Sequence, residues 1–196
     1  MKDQRMKPIL LEIPEQFETE RLLISNYQEG DGNEFYQLLL SNCDHLQEEI
    51  GEAKTLKTIE DAEEYVRIKR IAWLSRERLV PKIVVKSTGR MIGQLWIEPK
   101  WDRMIFEIGY FVEEKSQGYG YVTEAVKKMI EFLFTGLGAN KLEIHAKATN
   151  TRSTGVAKRC GFTKEAQLRE RGRTNEGEIV DLEIYGLLRS EFPLGF

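Results

Sequence analysis

The stretch Val112-Glu113-Glu114-Lys115-Ser116-Gln117-Gly118-Tyr119-Gly120-Tyr121-Val122-Thr123 joins a run of strand character to the clearest amphipathic helix in the chain. Downstream, Val122, Ala125, Val126, Met129, Ile130 and Leu133 follow the spacing i, i+3, i+4, i+7, i+8, i+11. That is the 3.6-residue period of a helix with one apolar face. Gly136 and Gly138 end it. Upstream, residues 83–86, 91–98 and 103–112 are apolar runs, the first two joined by Ser87-Thr88-Gly89-Arg90 as a hairpin turn. Three strands in a meander imply an antiparallel sheet.

Beyond the helix, Leu142, Ile144 and Ala146 alternate with Glu143, His145 and Lys147, the period of a strand. Strand, helix, strand in succession argues for a parallel pair inside a mostly antiparallel sheet. A short helix is expected over residues 152–159, stopped by Gly161, then strands over 162–169 and 178–188 with Thr174-Asn175-Glu176-Gly177 as their turn. Toward the N-terminus, Arg21-Leu22-Leu23-Ile24 reads as a first strand. Asp31 is expected to cap a helix over 34–43 with Phe35, Leu38 and Leu39 inward. Thr58-Ile59-Glu60-Asp61 is a capping-box pattern, opening a helix to about Arg78 with Ala62, Tyr65, Val66, Ala72 and Trp73 on one face. The result is an α+β chain with a mixed central sheet, read as a single domain over 1–196 with an N-terminal arm over 1–18.

Composition narrows the function. With 41% hydrophobic and 31% charged residues the chain is of ordinary globular type, and a net charge of −3 gives no global field for nucleic acid or an anionic membrane. Any anionic ligand therefore needs a local device. The two cysteines, Cys43 and Cys160, form no CxxC pair, and the two histidines, His45 and His145, add little, so no metal site is expected. No apolar run approaches the roughly 20 residues of a membrane span. Residues 1–8 lack a signal-type apolar stretch, and a cytoplasmic location is expected.

The glycine turn is such a device. Gly118 and Gly120 permit backbone angles that a Cβ resists and allow close approach of a ligand. The first N–H groups of the following helix lack internal partners and sit at its positive end. A pyrophosphate is the natural occupant. A P-loop would require Gly-Lys-Ser/Thr, whereas Tyr121-Val122 follows Gly120. A dinucleotide fingerprint would require Gly or Ala where Thr123 stands. A plain helix-entry loop stays open as the simpler reading.

Three stretches resemble the GNAT acetyltransferase superfamily, with closest similarity to its ribosomal-protein N-terminal acetyltransferases of the RimJ/RimL type. They are Glu18-Thr19-Glu20-Arg21-Leu22-Leu23-Ile24; Lys115-x-x-Gly118-x-Gly120 continued by Tyr121-Val122-Thr123-Glu124-Ala125; and Asn150-Thr151-Arg152-Ser153 ending in Cys160-Gly161-Phe162. The resemblance implies about seven strands flanked by helices, with the fourth and fifth, 103–112 and 142–147, splayed apart. It implies acetyl-CoA as co-substrate and an amine as acceptor, a protein N-terminus before a small amine. The pantetheine arm would bind main-chain groups of Tyr110, Phe111 and Val112. The phosphates would bind at Lys115, Gln117, Gly118, Tyr119, Gly120, Tyr121, Val122 and Thr123, with Asn150, Ser153 and Lys158 as further contacts. Lys115 stands where the family usually has Arg or Gln. Ala157 stands where many members carry the tyrosine that reprotonates the departing thiolate. A homodimer is among the assemblies the resemblance admits.

Two residues are candidates for the chemistry. Alternation puts Glu107 on one face with Gly109 and Phe111, where a carboxylate can take the amine's proton; the alternative is a solvated strand carboxylate. Ser153 is a candidate proton donor to the sulfur, or else a helix-start residue. Cys160 has no His near in sequence and reads as packing, His145 as a surface or cleft-lining residue, and Trp73, Trp96 and Trp101 as core or cleft wall. Two other functions stay open: a non-catalytic CoA-binding module, suggested by Ala157, and an RNA or ribosome binder using Arg169, Arg171 and Arg173.

Overall fold

The alternation in residues 141–147 becomes a strand whose every second side chain is buried, and it lies inside a single eight-stranded sheet. The computed structural model describes residues 7–42, 56–174 and 177–192. The strands are β1 (Gln16–Glu18), β2 (Leu22–Ser25), β3 (Lys82–Val85), β4 (Arg90–Lys100), β5 (Ile105–Val112), β6 (Lys141–Lys147), β7 (Thr163–Arg173) and β8 (Ile179–Leu188). The helices are α1 (Gly32–Leu40), α2 (Ile59–Leu74), α3 (Tyr121–Glu131) and α4 (Thr151–Arg159). Cys43, His45, Asn175 and Glu176, named above, lie outside the described residues, as does most of the expected arm's first eight residues.

The strands lie in the order β1-β2-β3-β4-β5-β6-β8-β7. All neighbours are antiparallel except β5 and β6. That pair matches only Ile105 to Lys141, Phe106 to Leu142 and Glu107 to Glu143. Past Glu107 the two strands part, the expected splay.

α3 is the crossover between them. Its apolar stripe (Ala125, Val126, Met129, Ile130) packs with Val156 and Ala157 of α4 against Phe106, Ile108, Leu142, Ile144 and Tyr185 of the sheet. α1 and α2 cover the other face, where Phe35, Leu38, Tyr65 and Val66 meet Tyr27, Met91 and Phe111. Each such side chain, fully buried, contributes about 1.5–3 kcal/mol relative to exposure. The capping box at Thr58 forms with Asp61 as expected.

Two local expectations change. Residues 16–18, expected in the arm, make a short edge strand, placing Phe17 opposite Ile24. Asp31 precedes α1 without capping it by its side chain. Its carboxylate instead accepts from the Gln28 backbone N–H at 2.7 Å and pairs with Lys82 Nζ at 2.6 Å. α1 accordingly starts at Gly32 and ends at Leu40.

Candidate active site

The glycine turn follows a single 3-10 turn, Glu114–Ser116, on which Lys115 is exposed. Gly118 and Gly120 have φ of +81° and +80°, and Gly120 is the residue from which α3 starts. The first helical bond is Glu124 N–H to the Gly120 carbonyl at 3.0 Å. The N–H groups of Tyr121, Val122 and Thr123 therefore have no acceptor within the helix. A Cβ built at Gly118 would meet nothing within 4 Å, and at Gly120 only Arg21 Nη2 at 3.6 Å. Space above the turn is open, and the φ values, rather than crowding, require glycine there.

The second segment of the sequence reading braces this turn. Arg21 Nη1 donates to the Tyr119 carbonyl at 3.0 Å, and the guanidinium lies 4.7 Å from the centre of the Tyr121 ring, which stacks on Tyr119. Glu124, in the first turn of α3, holds Arg21 through its backbone N–H (3.0 Å) and Nε (2.7 Å), and accepts from Thr19 Oγ1 at 2.5 Å. Burial pushes the Glu124 carboxyl up, but the hydrogen bonds from Thr19 and Arg21 outweigh it and leave the pKa below its ordinary value. Glu124 thus stays ionised beside an anion site, with Arg21 neutralising it. Beside the turn runs an open groove of about 420 Å³, whose lining includes Gly120, Thr123, Lys127 and Arg159. Arg159 reaches Thr123 Oγ1 at 3.4 Å. Open amides, positive-φ glycines and two cations fit a diphosphate and a further phosphate.

The splay holds the second group. Tyr110, on the length of β5 past its pairing with β6, places its hydroxyl 3.1 Å from both the Ser153 carbonyl and Ser153 Oγ. Asn150 is the cap of α4, accepting from the Ser153 N–H at 3.0 Å. Asn150 thus performs the capping that Ser153 was an alternative for, and the serine hydroxyl points to Tyr110. Phe111 and Val112 are buried in opposite cores. Lys158 is exposed, while its neighbour Arg159 lines the groove. Ala157 is fully buried. Burial pushes the Cys160 thiol up to about 11, which suits packing and not a nucleophile.

The third group lies on the opposite face of the sheet. Glu107, Gly109 and Phe111 share that face, and Trp96 lies across Gly109: a Cβ there would fall 1.9 Å from the indole Nε1. His145 Nδ1 is 3.3 Å from Glu107 Oε1, and its Nε2 is 3.5 Å from Glu143 Oε2. Glu143 also meets Lys100 at 3.2 Å and Lys141 at 3.1 Å. Burial raises the Glu143 carboxyl, but the two lysines outweigh it and hold it below the ordinary value.

The structure therefore brings Gln117 to Thr123 together at one opening, Tyr110, Asn150 and Ser153 at the adjoining splay, and Glu107 on the far side. Sequence reasoning missed the braces and cations Arg21, Lys127 and Arg159, and the contact of Glu107 with His145. For Lys127 a helical count from Gly120, two turns on, was the available signal. For His145 it was the alternation that put it on one face with Glu143.

Residues 21–163 match the family model described as the acetyltransferase (GNAT) domain. The chain is 33% identical over 113 residues to the uncharacterized N-acetyltransferase p20 of Bacillus licheniformis, a match covering 56% of this chain and 62% of that protein. It is 24% identical over 170 residues to the ribosomal-protein-serine acetyltransferase of Escherichia coli (strain K12), covering 85% of this chain and 92% of that one. In fold it is similar to a RimL ribosomal L7/L12 alpha-N-protein acetyltransferase solved with coenzyme A, with a TM-score of 0.80 at 20% identity, covering 90% of this chain and 97% of the other.

Proposed function

The chain belongs to the GNAT acetyltransferase family, and on that premise we propose that it transfers an acetyl group from acetyl-CoA to an amine, with a protein α-amino group as the acceptor. One observation carries the catalytic part. An open helix N-terminus, preceded by two positive-φ glycines, adjoins a parallel strand pair that stops pairing after three residues. The first feature suits a diphosphate. The second leaves the β6-facing edge of β5 beyond Glu107 without a strand beside it, a place suited to an extended amide-bearing arm.

Acetyl-CoA would bring an activated acyl group; the chain's residues supply the rest. Amides of Gly118 to Thr123, with Lys127 and Arg159 nearby, hold the phosphates. A backbone N–H of Tyr110 to Val112 polarises the carbonyl as an oxyanion-hole donor does. Glu107 takes the ammonium proton of the acceptor so that the amine attacks as a neutral base. Ser153 and Tyr110, whose hydroxyls are bonded to each other, supply a proton where the sulfur departs. Tyr110 thereby offers a phenol in place of the tyrosine that Ala157 lacks. The choice of a protein acceptor is supported by the similarity to a ribosomal-protein-serine acetyltransferase and to a ribosomal L7/L12 alpha-N-protein acetyltransferase.

The test is coenzyme A release measured against two panels, N-terminal peptides and small polyamines, together with calorimetry of coenzyme A. Turnover on peptides, lost in Glu107→Gln by about 10²–10⁴-fold with coenzyme A affinity kept, is the expected result. Turnover on polyamines alone would move the acceptor to small amines. Binding without turnover on either panel would make the chain a CoA-binding module.

A further inference from the structure

His145 stands between two carboxylates on neighbouring strands that have just begun to part. Nδ1 faces Glu107 of β5 at 3.3 Å and Nε2 faces Glu143 of β6 at 3.5 Å. The side chain is 23% exposed. Its Nε2 is screened from solvent and falls short of hydrogen-bond geometry among the described residues. The charges around it differ on the two sides. Glu143 carries Lys100 from β4 and Lys141 from its own strand, and Lys141 also reaches Glu165 of β7 at 2.6 Å. On the other side, Glu98 of β4 lies opposite Glu107 and pairs with Arg78. β8 sets uncharged Ile184 opposite His145.

A neutral imidazole has one N–H and one lone pair. Between two ionised carboxylates it can donate to only one of them. The imidazole proton is assigned to Nε2, which the Glu143 carboxylate, kept ionised by two lysines, attracts across 3.5 Å without a hydrogen bond; the assignment follows from the network. The Nδ1 lone pair then faces Glu107. The trio is one proton short, and the vacancy points at the residue assigned as base.

We propose that His145 is a positioning residue for Glu107: it receives at Nδ1 the proton that Glu107 removes from the acceptor ammonium. The inference rests on the reading of Glu107 as base. In the first step an N–H bond of the acceptor breaks and an O–H bond forms on Glu107. In the second that O–H breaks and Nδ1–H forms. Glu107 is again a carboxylate, and the imidazolium lies between the Glu107 and Glu143 carboxylates at 3.3 and 3.5 Å. Once product has left, Nδ1 passes the proton back to Glu107, whose side chain is 29% exposed, and Glu107 releases it to solvent, so the protein ends as it began. The gain is that Glu107 is regenerated before the acyl group has moved, so the amine cannot reclaim its proton.

The experiment compares wild type, His145→Asn, Glu107→Gln and the double variant, with a peptide or amine that the wild type turns over. His145→Asn is expected to keep the Tm and the KM for acetyl-CoA and to lower kcat by about 10–100-fold at pH 7. The deficit should shrink as pH rises, because the amine then arrives already neutral. Added to Glu107→Gln, His145→Asn should cost nothing more, because it acts only through Glu107. His145→Gly should regain activity with imidazole and not with pyrazole, which has the same shape and is a far weaker base. A wild-type kcat in His145→Asn, a deficit equal at all pH values, or equal rescue by both azoles would overturn the role of His145 while leaving Glu107 as base. Full turnover in Glu107→Gln would instead overturn the assignment of the base and this inference with it.

Discussion

The phenolic oxygen of Tyr110 lies 3.1 Å from the Ser153 hydroxyl, linking the end of β5 that has parted from β6 to the first turn of α4. The contact crosses the opening that the parting of β5 and β6 creates, so two hydroxyls converge where a thiolate would leave. Tyr110→Phe and Ser153→Ala are each expected to lower kcat by roughly tenfold or more and to leave coenzyme A affinity within about threefold. Because the two groups form one unit, the double variant should lose little beyond the worse single variant. Steady-state kinetics with calorimetry decides it. An additive double variant would separate the two hydroxyls, and unchanged rates would return both to a structural role.

At the glycine turn the prediction is about backbone rather than space. A Cβ at Gly120 would touch only Arg21 Nη2 at 3.6 Å, yet φ is +80°. A β-branched residue there costs about 1–2 kcal/mol in conformation alone. Relaxing that strain turns the Tyr121 and Val122 amides away from the bound anion. Gly120→Val should therefore weaken coenzyme A binding by tenfold or more, and Gly120→Ala by less. Calorimetry showing wild-type affinity for Gly120→Val would remove the diphosphate from this turn.

Which parts of this were legible in the sequence follows from how local each signal is. The period of α3 and the alternation of β6 are written in consecutive residues, and both elements form within a residue or two of expectation. Gly118 and Gly120 announce their backbone angles by residue type. Residues 16–18 carry too few side chains to show a period, and their strand exists only because β2 offers an edge. The place of β8 between β6 and β7 depends on pairing partners, which no local pattern encodes. At the site, Arg159 faces the groove and Lys158 does not, because one residue turns a helix by about 100° and the phase of α4 is fixed by its packing on α3. Glu107 meets His145 only through the register that sets Glu107 against Glu143.

Trp96 and Gly109 make the wall beside Glu107. An added Cβ at position 109 would fall within 2.4 Å of three indole atoms, Nε1, Cε2 and Cζ2. Gly109→Ala should displace the indole and cost about 1–3 kcal/mol through overpacking. Since the displaced ring belongs to the Glu107 face, KM for the acceptor should rise severalfold while coenzyme A binding persists. Tryptophan fluorescence, Tm and kinetics together check this. Trp96→Phe placed in Gly109→Ala should recover part of the lost stability, and failure to do so would mean that the indole is not what Gly109 accommodates.

Glu124 links stability, pH and the glycine turn. Burial raises its carboxyl, hydrogen bonds from Thr19 and Arg21 lower it by more, and the folded-state pKa lies below the ordinary glutamate value. A depressed pKa means that the carboxylate stabilises the fold fully at pH values above the unfolded value. That contribution is lost as pH falls through the folded one. Hydrogen bonds to a charged group contribute about 1.5–3 kcal/mol. Arg21 is 43% exposed and Glu124 19%, so solvent screening brings the expected loss in Glu124→Gln to about 1 kcal/mol. For a chain of this length that corresponds to a Tm roughly 2–4 °C lower at pH 7. The difference should close as pH falls through the depressed folded pKa, below the ordinary glutamate value, because the wild type then protonates as well. Arg21, released from Glu124, would also loosen its hold on the Tyr119 carbonyl, so the same variant should bind coenzyme A more weakly at pH 7. Thermal melts from pH 3 to 8 with calorimetry at pH 7 test both parts. A Tm gap independent of pH would show that the carboxylate's charge is not what secures the turn.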